Sequence, residues 1–128
     1  MKARAIEFQD LLEVPYEHGR VRLEEAGTLD CFGMTAEVVR RACGEDAFDD
    51  FLQLLEEPDR ERWTQVNVLR PKLGDVALSR CQERGLHVSG VVSLDPPTVL
   101  SSSSVLGAYA WRLSMISDLI GLYRYPRG

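Results

Sequence analysis

The sequence predicts an α+β domain: N-terminal helices packed on an antiparallel β-meander of about five strands. Three observations carry this. Up to residue 57, apolar residues recur mostly at helical spacing; after Gly74 they come in short runs rich in Val and Leu, bounded by Gly and Pro turns. No internal repeat, linker or composition shift divides the 128 residues, so residues 1–128 read as a single domain. A chain of this length buries about two-thirds of its unfolded surface, enough for a core without covalent staples.

In order, residues 3–13 place Ile6, Phe8, Leu11 and Leu12 near one helical face. Pro15 breaks this pattern and biases Val14 towards extended geometry. Residues 21–26 are charged and read as a surface loop. A helix then runs from Cys31 to Cys43, with Met34, Val38 and Val39 as its apolar stripe, Glu37, Arg40 and Arg41 facing water, and Gly44 as its stop. Asp46 can cap a further helix over 47–57, whose Phe48, Phe51, Leu52 and Leu55 repeat at helical spacing. Residues 59–72 read as irregular, docked through Trp63, Val66, Val68 and Leu69. Strands follow over 75–81 and 86–94 as a hairpin, then from Thr98, over 109–113 and over 121–125.

Bulk properties exclude several classes of function. The net charge of −5 lacks the attraction to phosphate that drives nucleic-acid binding. No segment approaches the roughly 18 consecutive apolar residues of a membrane span. The start, Met1-Lys2-Ala3-Arg4-Ala5-Ile6-Glu7, turns acidic before an apolar run develops and is no Sec signal, so the expectation is a protein made in the cytoplasm. Action outside would then need delivery to the periplasm or assembly into a virion or tail particle. Cysteines 31, 43 and 81 are odd in number and unpaired in spacing, which argues against a disulfide framework and allows one functional thiol. Metal-ligand spacings and Gly-rich phosphate loops are absent, so neither metal nor cofactor is expected.

The chemistry concentrates at Asp30-Cys31-Phe32-Gly33, where a loop turns into a helix. The unpartnered N–H groups and positive dipole end there favour thiolate, which can bring a cysteine below its usual pKa of about 8.5. Otherwise Cys31 is a small buried hydrophobe. A reactive thiolate needs a base, and the chain has two histidines, His18 in a loop and His87 near the start of a strand. His87 can point at a helix N-terminus packed across the sheet; the bland alternative is a satisfied strand-edge histidine.

The order of these elements resembles the NlpC-type papain-like cysteine peptidases, which cut the stem peptides of bacterial peptidoglycan. That family has an Asp-Cys-small-Gly motif opening a helix, matched by Asp30-Cys31-Phe32-Gly33. Its upstream Pro-Tyr element followed by glycines corresponds to Pro15-Tyr16-Glu17-His18-Gly19. Its Gly-Asp before the first core strand matches Gly74-Asp75, and its His-Val-Gly corresponds to His87-Val88-Ser89-Gly90. The ending Ile120-Gly121-Leu122-Tyr123-Arg124-Tyr125 resembles the phage-tail branch. The likeness spans roughly residues 8–125.

The resemblance implies Cys31 as nucleophile, His87 as the base that later protonates the leaving amine, and the Cys31 N–H as an oxyanion donor. It implies substrate orientation by Tyr16 beside the sulfur and by Asp30. The third polar residue, usually His, Asn or Gln, falls on Ser101, a weaker support for an imidazolium. Phe32 replaces the small residue, and the upstream glycine pair is reduced to Gly19-Arg20. The implied function is hydrolysis of peptidoglycan peptide bonds, as a phage-tail or tail-derived component meeting tail or secretion-machine proteins. The departures motivate a rival reading, a catalytically weak or inactive assembly module on the same fold. A thioesterase or acyltransferase is a third.

Overall fold

A computed structural model of the protein describes residues 4–17, 27–51, 54, 60–81 and 85–126, with Cys81 described in its backbone. The architecture is α+β, as the sequence predicts. Six antiparallel strands form one sheet: β1 (Thr64–Val66), β2 (Val76–Cys81), β3 (Gly85–Leu94), β4 (Pro97–Ser103), β5 (Gly107–Arg112) and β6 (Leu119–Arg124). Their spatial order is β1-β6-β2-β3-β4-β5. β2 to β5 are a meander, and β6 returns to the free edge of β2. One α-helix among the described residues, α1 (Cys31–Cys43), packs on one face.

α1 begins and ends where the sequence predicts. Asp30 Oδ1 accepts the Gly33 N–H at 2.8 Å, satisfying one of the helix's orphan donors. Gly44 adopts φ 75° and donates to the Arg40 carbonyl, the left-handed stop that glycine makes without steric cost. Glu37, predicted to face water, is buried instead. Burial alone would raise its pKa, but hydrogen bonds from Arg40 and Arg41 outweigh that and hold it below the ordinary range. Arg41 also makes a double contact with Asp10, pinning the N-terminal segment to the helix. Both arginines stand one turn further along α1, at i+3 and i+4 from Glu37, and Arg41 extends the cluster to Asp10.

The predicted N-terminal helix over 3–13 shrinks to a 3-10 turn, Gln9–Glu13. Arg4 to Ile6 are extended: Ile6 N–H donates to Val92 O (2.9 Å) and Leu94 N–H to Arg4 O (2.8 Å). β2 leaves the edge of β3 after Gly90, and its open backbone groups outcompete a helix of about 11 residues, which is marginal alone. The helix predicted over 47–57 begins as a 3-10 turn, Phe48–Asp50, with Phe51 and Leu54 helical; residues 52–53 and 55–57 lie outside the described residues. So do the predicted loop 21–26 and His18. The stretch predicted irregular supplies the sixth strand, β1, which at three residues is too short to show alternation.

Alternation along the strands gives the sheet two chemically distinct faces. Val76, Leu78 and Val88 pack with Cys31, Ala36 and Val39 in one buried cluster on the helix side. Val92 and Leu100 pack with Met34 and Val38 in a second. Between them Gly90 lets α1 close on the sheet: a Cβ there would stand 2.7 Å from Val38 Cγ1. On the back face Ala77, Val91, Val99, Leu113 and Leu122 form a third cluster that contains no α1 residue.

Gly74-Asp75 has a structural explanation. Gly74 sits at φ 87°, and a Cβ there would meet Ala42 Cβ at 2.8 Å and Cys43 Sγ at 2.9 Å. Asp75 is buried, accepts the Lys72 N–H at 2.7 Å, and receives both Nε and Nη2 of Arg124 at 2.8 Å. This bidentate pair ties the entry of β2 to the end of β6.

Candidate functional site

Tyr16, Asp30 and Cys31 are brought together. Tyr16 forms an isolated parallel bridge with Leu29, through Leu29 N–H to Pro15 O (3.0 Å) and Glu17 N–H to Leu29 O (3.1 Å). The Pro-Tyr element therefore runs alongside the segment entering α1. Asp30, implied to orient substrate, has one carboxylate oxygen committed to capping the helix. Cys31 opens α1 as a thiol outside any disulfide, but only 4% of it is exposed. Phe32 turns towards Phe51, ring centroids 6.3 Å apart.

His87 is not brought to this group. It stands one residue before Val88, and Val88 shares the buried cluster of Cys31. Adjacent strand residues point to opposite faces, so His87 projects from the back. Its surroundings agree: with Ser79, Ser89, Val99, Tyr109, Trp111 and Ile116 it lines a back-face cavity of about 190 Å³. The register is regular here, with Ser79 opposite His87, Leu78 opposite Val88 and Val76 opposite Gly90. The sheet itself separates the expected base from the expected nucleophile.

Ser101 does meet His87, with Oγ 2.9 Å from Nε2. Tyr109 Oη lies 2.8 Å from the same nitrogen. Ser101 Oγ is also 2.8 Å from the Val88 carbonyl, which can only accept. The single serine proton therefore goes to that carbonyl, and Oγ accepts from His87. This assigns the proton to Nε2, shared between Ser101 and Tyr109. The His87 and Tyr109 rings lie nearly parallel, 11° apart with centroids at 6.4 Å, and Trp111 continues the row 5.1 Å from Tyr109.

Sequence reasoning missed Tyr109 as a partner of His87, and Trp111, Ser79 and Ser89 as residues lining the same cavity. The signal for two of them was alternation: 109 and 111 share a face, and Tyr109 pairs directly with Ser101. The signal against a Cys31–His87 pair was also present. In a His-Val-Gly motif the histidine and glycine are two apart and share a face; here Ser89 intervenes, and the residue two before Gly90 is Val88. Among the described residues no cluster of three or more His, Cys, Asp or Glu side chains could hold a metal ion, and no helix is long and apolar enough to cross a membrane. No protein-family model matches the chain, and no curated protein matches it.

Proposed function

We propose that this chain is a catalytically weak or inactive structural or assembly module built on an NlpC-type, papain-like scaffold. The observation that carries the reading is the placement of Val88, rather than His87, on the face of Cys31. At the strand position where the family places its base, the side chain on the Cys31 face is the isopropyl group of Val88, which takes no proton. The scaffold assignment rests on the order of the Tyr16, Asp30-Cys31, Gly74-Asp75 and closing β6 segments. So do a phage-tail or tail-derived setting, delivery beyond the cytoplasm, and peptidoglycan stem peptides or tail proteins as partners.

The hydrolytic reading, a cysteine endopeptidase or amidase on peptidoglycan, keeps one observation of its own: Cys31 sits on a capped helix N-terminus beside Tyr16. One experiment separates the two. Purified protein and Cys31→Ala are assayed for release of fragments from peptidoglycan, alongside iodoacetamide alkylation of Cys31 at about pH 6, below the ordinary thiol range. The assembly reading expects no release from either protein and slow alkylation. Release that disappears in Cys31→Ala, with fast alkylation, would replace it with the peptidase.

A further inference from the structure

The back-face cavity carries one permanent charge, and it is positive. Its lining includes Arg80 and no Asp or Glu, although the chain has 20 acidic residues. Arg80 lies one residue past the point where the pairing of β2 with β6 shifts register. It is exposed while lining the cavity, which puts it at the mouth. It enters none of the ion pairs among the described residues, not even with Asp118, whose carbonyl accepts the Arg80 N–H at 3.0 Å. A guanidinium stays charged across the working pH range and presents a planar fork that fits a carboxylate. The Nε2 of His87 is taken up by Ser101 and Tyr109, which leaves Arg80 as the group that meets a ligand's charge.

The remaining walls select the body of the ligand. Tyr109 and Trp111 line the cavity with ring centroids 5.1 Å apart, and Trp111 is 44% exposed, a large apolar surface left to solvent. Val99 and Ile116 add aliphatic surface. The volume is about 190 Å³. A cavity of about 150 Å³ takes a benzene ring, so this one takes a single ring with a small head group. We propose that the cavity binds a small organic anion, a carboxylate carried on one aromatic ring. The carboxylate pairs with Arg80 through charge-assisted hydrogen bonds, and serine hydroxyls of the lining can donate to it as well. The ring packs offset or edge-on against Tyr109 and Trp111. This inference does not depend on whether Cys31 is reactive, because the sheet lies between the two sites.

Amide NMR of the full chain tests it with four probes: benzoate, phenol as a neutral ring, benzylamine as a cationic ring, and acetate as an anion without a ring. Benzoate is expected to give saturable shifts centred on the amides of residues 79–80, 87–89 and 109–111, and to bind more tightly than the other three. Arg80→Gln, at an exposed position, should weaken benzoate about tenfold through loss of the charged pair and bring it level with phenol. Trp111→Ala, also exposed, should weaken benzoate and leave acetate unchanged. Thermal melts check that both variants stay folded. No saturable shift with benzoate overturns the proposal, as do shifts centred elsewhere. So does phenol, benzylamine or acetate binding as tightly as benzoate, or benzoate binding that Arg80→Gln leaves unchanged.

Discussion

Cys31 and His87 lie on opposite faces of one β-sheet, and Val88 is the β3 side chain that shares a buried cluster with the thiol. Because the strand period is two, a single residue decides whether an imidazole reaches a sulfur or turns its back on it.

Moving the histidine by one residue tests that statement directly. Val88→His is expected to raise the alkylation rate of Cys31 near neutral pH several-fold, because the imidazole then stands on the side of the thiol. The cost is about 1–3 kcal/mol for burying a polar ring in an apolar cluster, visible in a denaturant melt. His87→Ala should leave the alkylation rate unchanged. Equal rates in wild type and Val88→His, with the fold intact, would show that the two side chains do not meet.

Gly90 holds the helix at its distance from the sheet. Gly90→Ala places a methyl 2.7 Å from Val38 Cγ1 in a buried position where neither backbone can retreat freely. A loss of about 1–3 kcal/mol is expected from overpacking. Val38→Ala in the same chain should recover part of it, and failure of that rescue in thermal melts would relocate the clash.

Glu37 gives the protein an acid-sensitive joint. Its folded pKa is held down by Arg40 and Arg41 against burial, so its contribution is present above the unfolded value of about 4.3. The contribution is lost as pH falls through the lower folded value. Glu37→Gln should therefore lower stability near neutral pH and flatten its fall between about pH 5 and 3. Parallel pH–stability curves for wild type and variant would contradict the assignment.

Tyr125 acts at the other end of the scale. Its hydroxyl donates to the Asp50 carboxylate, and that bond, with burial, pushes its pKa up to about 12. A raised folded pKa contributes stability fully below the unfolded value of about 10, lost as pH rises through about 12. Tyrosinate absorbance should show one late-titrating component that disappears in Tyr125→Phe. If the difference spectrum instead titrates with the bulk of the tyrosines, the Asp50 contact is absent in solution.

The parts of this fold legible in the sequence are those governed by neighbours along the chain. The start of α1 at Cys31, the Gly44 stop and the edges of β2 and β3 follow from local backbone chemistry. Ser101 as the residue that meets His87 came from the family resemblance, which puts a third polar residue on the strand after the base.

What only the tertiary structure decided are the competitions between distant groups. The open edge of β3 took Arg4–Ile6 away from a helix, β6 recruited Thr64–Val66 as a strand, and Asp10 reached Arg41 from the N-terminal segment. The direction of His87 belongs with these. The contact of Gly90 with Val38 sets which face of β3 meets α1, and parity then carries His87 to the other side. Sequence alone supplies a cysteine at a helix start and a histidine on a strand; strand register across the sheet determines whether they form one site or two.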